Sequence, residues 1–295
     1  MKKMIVRADD VGYTEVCNIG TFKAIEEGVV TSADIMLDAP GTVDALRRLK
    51  EMPWISTGWH AHFWCSPVLE PDQVPSLLIK GTNRFRHDLK DAEDISKKEL
   101  LDECRAQMER CIEIMGKVPD TSDYRPESVY GDVCRQICSE YGIAYGIARK
   151  NTRRDGLQEP DEKWKSRNIL IADPQNAYDA LQTDNVMKTS EYDPASYYID
   201  DPDHLMELPE NVIIEQSWHP GYVDYFVYEL GDYGPRAKYF TVGRTKDVEA
   251  LCSERLKSWV KEKKIELINF RDALYGTSEY QNHLRNIKSD LYMKK

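Results

Sequence analysis

The chain has 295 residues, of which 41% are hydrophobic and 10% aromatic, and 40 Lys and Arg against 51 Asp and Glu give a net charge of −11. A composition this rich in apolar residues excludes a disordered, collagen-like or coiled-coil protein. The acidic balance, with no basic cluster longer than residues 261–264, does not fit a nucleic-acid binder, and no apolar run reaches the roughly 18 residues of a membrane span.

The cysteines indicate a reducing compartment. The chain has seven of them, an odd number, and no CxxC pair. Four fall among apolar residues of predicted helices, as buried structural thiols do: Cys104, Cys111, Cys134 and Cys138. Because residues 1–6 run directly into Arg7 and Asp9, we expect no secretory signal and a cytoplasmic location.

Short apolar runs rich in β-branched residues alternate with helical patterns along the chain. Eight runs are predicted as strands: 4–6, 29–37, 54–59, about 118–123, 143–148, 168–172, 212–214 and 265–270. Helices are predicted where Ile19, Phe22 and Ile25 recur before Gly28, from Ser96 to Gly116, and near 132–141 and 247–263.

Strands separated by helices are typical of parallel βαβ units. The sequence therefore predicts an α/β fold, an irregular (β/α) TIM-like barrel, as a single domain over residues 1–295. Residues from about 150 to 205 are polar and predict an excursion over the surface. A doubly wound open sheet is the alternative, but no GxGxxG turn follows the first strand.

Polar side chains follow several of the predicted strands at the point where each strand ends. In a parallel barrel these ends lie on one face, where active sites are built. Carboxylates and imidazoles on one rim suit a divalent cation such as zinc. The residues are Asp9 and Asp10 after the first strand, His60 and His62 after the third, Asp123 after the fourth, and His219 after the seventh.

Each of these residues also has a purely structural interpretation. Asp9 and Asp10 point to opposite sides of an extended segment, so one can face a metal and the other act as a base, but one of them could equally cap the first helix. His60 and His62 share one strand face, although either could be a half-buried structural histidine. His219 is held extended by the proline that follows it.

Aromatic residues flank the same polar positions. Aromatic faces beside hydrogen-bonding groups suit stacking on sugar rings, and barrel cores also use aromatics, so we expect two or three to contact a substrate and the others to lie in the core. The aromatic residues are Trp59, Trp64, Trp218, Tyr222, Tyr225 and Phe226.

Taken together, the motifs resemble the YdjC-like carbohydrate deacetylases. IVRADDVG at 5–12 is similar to the family's opening "ADD-F/V-G" strand and turn, and GVVTSA at 28–33 is similar to its second strand. GWH at 58–60 and HPG at 219–221 match two further motifs, and Arg244 with Glu249 and Leu251 resembles a helix start of the family.

This resemblance implies an irregular barrel that uses a divalent metal, zinc or magnesium, to remove an acetyl group from an N-acetylated sugar. It makes Asp10 and His60 metal ligands, Asp9 the general base and His219 the acid or transition-state stabiliser. The implied partner is the sugar, with no nucleic acid and no membrane, and a homodimer is one candidate assembly. A metal suits this reaction because an amide is a poor electrophile that needs polarisation.

One element departs from the family's pattern. The third ligand of the family is the first histidine of a "D-S-H-x-H" element, where this chain has Asp123 followed by Tyr-Arg-Pro-Glu. Arg125 cannot bind a cation, because its guanidinium stays protonated and only donates hydrogen bonds. Asp123 or Glu127 could complete the site with oxygen, or His62 could replace the histidine.

The metal could instead be absent, and the barrel would then either bind its sugar without hydrolysing it or perform metal-free acid–base chemistry. A carbohydrate-binding barrel is the alternative function. In that case Arg125 would hold an anionic group of the sugar. We favour a retained metal, with Asp123 as the tentative third ligand, because clustered carboxylates without a cation repel one another. A sugar isomerase or lyase has the least support. The expected substrate contacts are Trp59, Trp64, Arg125, Trp218 and Tyr222.

Overall fold

The structure, a computed structural model, describes residues 1–123, 127–146, 170–172, 177, 191–202, 204–229 and 235–293. Most of the predicted excursion at about 150–205 lies outside the described residues, and so does Arg125.

The described residues contain eight strands that pair in parallel throughout. Their order across the sheet is β5-β4-β3-β2-β1-β7-β6, and β8 pairs with the beginning of β1. This parallel sheet with flanking helices confirms the predicted α/β fold. The strands are β1 Lys3–Val11, β2 Ser32–Ile35, β3 Ser56–Trp59, β4 Thr121–Ser122, β5 Ala144–Tyr145, β6 Leu170–Ala172, β7 Val212–Trp218 and β8 Glu266–Leu267.

Helices follow most of the strands and cover the sheet. In chain order they are α1 Glu15–Glu27, α2 Thr42–Lys50, α3 Lys97–Met115, α4 Val129–Tyr141, α5 Pro194–Asp200, α6 Tyr225–Glu229, α7 Pro235–Cys252, α8 Glu254–Glu262, α9 Phe270–Tyr275 and α10 Glu279–Asn286. Among the described residues, no helix combines the length and the apolar character needed to cross a membrane.

The ends of α3 show how local sequence sets the helix bounds. The Ser96 side chain accepts a hydrogen bond from the Glu99 backbone N–H, as an N-cap does. Gly116 ends the helix with φ 80°, a left-handed conformation that glycine adopts without steric cost. The carboxylate of Glu99 accepts from the Ser76 N–H in a neighbouring loop, and the Ser96 N–H donates to the Ser76 hydroxyl, so the helix start is tied to that loop.

Two helical expectations differ from the structure. The helix predicted near 247–263 is two helices, α7 and α8, because the Ser253 side chain caps α8 by accepting from the Leu256 N–H. Ile19, placed on the buried stripe of α1 with Phe22 and Ile25, is 49% exposed, whereas the other two are buried. The small residues Gly20 and Thr21 occupy the buried face of α1 where it packs on the chain after β7.

Candidate active site

Five strands of the sheet bring ionisable side chains together. β1, β2, β3, β4 and β7 lie next to one another in the sheet, so residues at or near their carboxyl ends become neighbours. The residues are Arg7, Asp9 and Asp10 from β1, Asp34 from β2, His60 and His62 after β3, Asp123 after β4, and Glu215 and His219 in and after β7.

A backbone irregularity brings the two neighbouring aspartates of β1 to the same cluster. The register with β2 shifts between Ala8 and Val11, and Asp10 has φ 58°. This bulge breaks the alternation that would send consecutive side chains to opposite faces. Neither aspartate caps α1, because Thr14 does so by accepting from the Cys17 N–H.

Asp10 lies between a histidine and a buried arginine. Its Oδ1 is 3.0 Å from His60 Nε2, and its Oδ2 accepts a hydrogen bond of 2.6 Å from Arg244 Nη2. The Arg244 guanidinium also lies over the Tyr13 ring, 4.7 Å from its centroid. Burial alone would raise the pKa of Asp10, but Arg244 and His60 hold it well below its usual value. Asp10 is therefore a carboxylate in the folded protein.

Arg7 contacts four carboxylates. Its Nε is 2.6 Å from Asp9 Oδ1, and its Nη2 donates to Asp9 Oδ2 at 3.1 Å. Its Nη1 lies 2.6 Å from Asp123 Oδ1, 3.0 Å from Glu215 Oε1 and 3.5 Å from Asp34 Oδ2. Burial alone would lower the pKa of Arg7, but these carboxylates, led by Asp123, hold it well above its usual value.

The second nitrogen of His60 faces two further carboxylates. Its Nδ1 is 3.6 Å from Asp123 Oδ2 and 4.0 Å from Asp34 Oδ2, on the opposite side of the ring from Asp10. Burial alone would lower the pKa of His60, but Asp10 and Asp123 raise it to about 9. A carboxylate behind a histidine is the arrangement that orients metal-binding imidazoles. To bind a cation, His60 would first lose this proton.

His62 lies beside His60 at the mouth of the site. The two rings are edge to face with centroids 4.1 Å apart, and His62 Nδ1 is 2.6 Å from Lys90 Nζ. Trp64 follows at 4.9 Å from the His62 ring, and it is 42% exposed. A histidine, a lysine and an exposed indole therefore lie together beside His60.

His219 faces the other aspartate. Its Nε2 lies 3.8 Å from Asp9 Oδ2, while its backbone N–H donates to Asp247 Oδ2 at 2.8 Å. The Tyr192 hydroxyl donates to the second oxygen of Asp247 at 2.7 Å. These contacts hold the backbone of His219 in place.

Close packing against α1 fixes the same segment. Thr21 Oγ1 donates to the Pro220 carbonyl at 2.6 Å. A Cβ at Gly20 would lie 2.6 Å from the Tyr222 backbone nitrogen, so only glycine allows this approach. The chain after β7 therefore has little freedom to move His219 away from Asp9.

The expected substrate contacts are divided between the site and the core. Trp59 and Trp218 are fully buried; Trp59 Nε1 donates to Gln107, and the Trp218 ring packs 4.4 Å from that of Tyr198. Trp64 is exposed and Tyr222 is half-buried. Glu127, considered above as a ligand, is exposed.

Gly58 makes room for the carboxylate of Asp34. A Cβ at position 58 would lie 1.9 Å from Asp34 Oδ1. Asp34 is 1% exposed, burial raises its pKa to about 7, and its Oδ1 has no hydrogen-bond partner among the described residues. The glycine two positions before His60 is thus required by the packing of the site.

We predict that Gly58→Ala lowers the free energy of unfolding by about 1–3 kcal/mol, the usual cost of overpacking a core. Urea denaturation measures this change. In an Asp34→Ala background the same substitution should cost almost nothing, since the clash is gone. An equal cost in both backgrounds would show that Asp34 is not the cause.

The donor atoms fit a divalent cation. Asp10, His60 and His62 each offer a ligand atom within 4.8 Å of the others, and Asp9, Asp34 and His60 form a second such group. Two imidazoles and a carboxylate are a familiar zinc ligand set, and carboxylate oxygens suit magnesium. The buried Asp34 Oδ1 adds an oxygen without a hydrogen-bond donor among the described residues.

Sequence reasoning identified Asp9, Asp10, His60, Asp123 and His219, and the structure brings all five together. It did not assign roles to Arg7, Asp34, Glu215 and Arg244, which are also in the cluster. One signal was available for Arg7 and Glu215, since charged residues inside otherwise apolar strands need buried partners.

Carboxylates and imidazoles gathered at the carboxyl ends of parallel strands are typical of the active sites of α/β enzymes. The model of the YdjC-like protein family matches residues 3–262. The chain belongs to this family, which confirms the resemblance and the prediction of a deacetylase-type enzyme.

The similar proteins agree along almost the whole chain. A carbohydrate deacetylase of Brevibacillus brevis is 27% identical over 92% of this chain and 99% of its own length. Carbohydrate deacetylase 2 of Listeria innocua is 25% identical over 92% and 98%. A solved structure from Enterococcus faecalis V583 has a TM-score of 0.66 at 21% identity and covers 92% of this chain and 99% of its own, which supports the fold.

Proposed function

We propose that this protein is a metal-dependent hydrolase that removes an acetyl group from an N-acetylated sugar or small oligosaccharide. One observation carries the proposal: Asp10 and His60, a carboxylate and an imidazole suited to hold a cation, lie beside Asp9 and His219, whose Oδ2 and Nε2 atoms are 3.8 Å apart and suited to acid–base chemistry. Amide hydrolysis needs both pairs, because the carbonyl must be polarised while protons move from water to the departing amine.

Asp10 and His60 would hold the metal, zinc or magnesium, with His62 or Asp123 as the third ligand. Asp123 was the expected ligand, but its two oxygens face Arg7 and His60 Nδ1. His62 lies on the side of Asp10, within one ligand group. We therefore favour His62, and we assign Asp123 to the orientation of the His60 ring.

When bound, a divalent cation would polarise the acetyl carbonyl and lower the pKa of the attacking water. Asp9 accepts the proton of that water, because its contacts with Arg7 hold the carboxylate in place. His219 supplies a proton to the departing amine, and the hydrogen bond from its backbone to Asp247 keeps the imidazole near Asp9.

The sugar would bind at the mouth of the site. Trp64 offers an exposed ring beside His62, and Tyr222 lies directly after the His219 segment. Aromatic faces next to hydrogen-bonding groups are typical of sugar sites. Trp59 and Trp218 support this site from the core, and Arg125 remains a proposed contact outside the described residues.

One observation favours the second candidate function, a carbohydrate-binding barrel without a metal. Arg7 and Arg244 already offset the clustered carboxylates, so the repulsion that called for a cation is smaller than the sequence suggested. The hydrolase remains preferred because Asp9, Asp10, His60 and His219 are all present in a geometry suited to hydrolysis.

We predict that the purified protein releases acetate from N-acetylglucosamine oligomers or N-acetylated monosaccharides, that dialysis against a chelator abolishes the release, and that zinc or magnesium restores it. An acetate assay over such a panel measures this. His60→Ala should lose both metal and activity, whereas His204→Ala, at an exposed histidine, should keep both.

Two results would contradict this function. Acetate release that is unchanged after exhaustive metal removal would overturn the metal dependence. Sugar binding without acetate release from any member of the panel, by protein that contains bound metal, would favour the carbohydrate-binding barrel.

We further propose where the protein is located and what it binds. A cytoplasmic location is supported by the cysteines, six of which are buried and one half-buried. The expected partner is the sugar alone, with no nucleic acid and no membrane, and a single domain that can form a homodimer stays part of the proposal.

A further inference from the structure

We propose that the guanidinium of Arg7 takes the place of a second cation. The site then holds one divalent ion, and Asp9 acts as a base rather than as a metal ligand. The inference rests on the proposed function for the first ion. It concerns a positioning role of Arg7, which lies in the middle of β1 and to which the sequence assigned no role.

The described residues offer two groups of ligand atoms that share His60. Asp10, His60 and His62 form one group, and Asp9, Asp34 and His60 form the other. Hydrolases with two neighbouring ligand groups can bind two ions. A neutral imidazole coordinates only one ion, so a second ion in this protein would depend on the carboxylates of Asp9 and Asp34.

Arg7 interacts with the second group and leaves the first alone. It contacts both oxygens of Asp9 and one oxygen of Asp34, and it reaches Asp123 and Glu215 behind them. The second oxygen of Asp10 is held by a different arginine, Arg244. A second divalent ion would have to displace a buried guanidinium and sit against its charge.

The contact also sets the role of Asp9. Nη2 of Arg7 donates a hydrogen bond to Asp9 Oδ2, and Nε lies 2.6 Å from Oδ1, so the carboxylate is turned toward the guanidinium, with Oδ2 3.8 Å from His219. A charge-assisted hydrogen bond beside a second ion contact fixes the orientation of the carboxylate. Asp9 and Asp10 are adjacent in sequence, yet a different arginine holds each of them, which separates the base from the ligand.

The test counts ions. Native protein, Arg7→Met and Arg7→Lys are freed of metal and titrated with Mn²⁺ by isothermal calorimetry, and the manganese bound is confirmed by elemental analysis and EPR. We expect one ion in the native protein, two in Arg7→Met with the EPR signal of a coupled manganese pair, and one in Arg7→Lys, which keeps the positive charge.

Arg271→Met is the matched control. Arg271 is also largely buried and pairs with two carboxylates, Asp120 at 2.7 Å and Glu279 at 2.6 Å. Asp120 directly precedes β4, so this pairing lies at the amino end of the strand, whereas the proposed site lies at the carboxyl ends. Its loss should leave one ion bound. Should Arg7→Met fail to fold, Arg7→Met/Glu215→Gln removes one buried carboxylate as well and is titrated in the same way.

A single ion in folded Arg7→Met, or in Arg7→Met/Glu215→Gln where that variant replaces it, would overturn the inference and leave the proposed hydrolase standing, and so would two ions in the native protein. A native protein that binds no Mn²⁺ would overturn both. Acetate release by native protein, measured separately, distinguishes a failed ion count from a failed function.

Discussion

Replacement of Asp9 by asparagine is expected to lower kcat for acetate release by about 10²–10⁴-fold, the usual contribution of a positioned general base. Asparagine has nearly the same shape, so the amide can stay beside Arg7 and His219, but it cannot accept the proton of the attacking water. Metal affinity should change little, since Asp10 and His60 are untouched. Steady-state kinetics together with a Mn²⁺ titration measures both quantities.

Measuring metal affinity beside kcat distinguishes a general base from a metal ligand. Asp10→Asn should lose metal and activity together, because Asp10 is the proposed ligand. A variant Asp9→Asn that loses metal as completely as Asp10→Asn would show that Asp9 is itself a ligand. An unchanged kcat with metal bound would assign the base to another group.

The second large effect concerns stability. Arg244→Met should lower the free energy of unfolding by about 3–5 kcal/mol, measured by urea denaturation with chelator present, since breaking a buried ion pair is strongly destabilising and leaves Asp10 with His60 alone. Arg244 is 1% exposed and Asp10 is 2% exposed, so water cannot replace the lost guanidinium. Methionine keeps the packing against Tyr13, which limits the change to charge and hydrogen bonding.

A double-mutant cycle tests whether the loss arises at Asp10. In an Asp10→Asn background, Arg244→Met should cost much less, because no buried carboxylate remains to be left unpaired. Arg48→Met removes a surface ion pair with Asp44 and should change stability by about 0–1 kcal/mol. Equal costs for Arg244→Met in both backgrounds would show that its packing, not its charge, stabilises the protein.

The sequence was sufficient for the fold class and for part of the site. Alternating strand and helix signals are local, and the carboxyl ends of parallel strands converge whatever their exact order, so Asp9, His60 and His219 could be placed together. The short motifs also identified the family. Helix bounds were less certain: the break at Ser253 depends on one side-chain cap that the apolar pattern of the two helices conceals.

Only the tertiary structure decided which charges meet. Arg7 and Asp123 are 116 residues apart, and Asp10 and Arg244 are 234 apart, so no local pattern predicts either pair. The same holds for the bulge at Asp10, which depends on the register of β1 against β2. The sequence thus determined that Asp9, Asp10, His60 and His219 lie at the carboxyl ends of the strands, because strand ends follow from local periodicity. Their pairing depends on the packing of distant strands and helices, and it assigns each aspartate of β1 its own arginine.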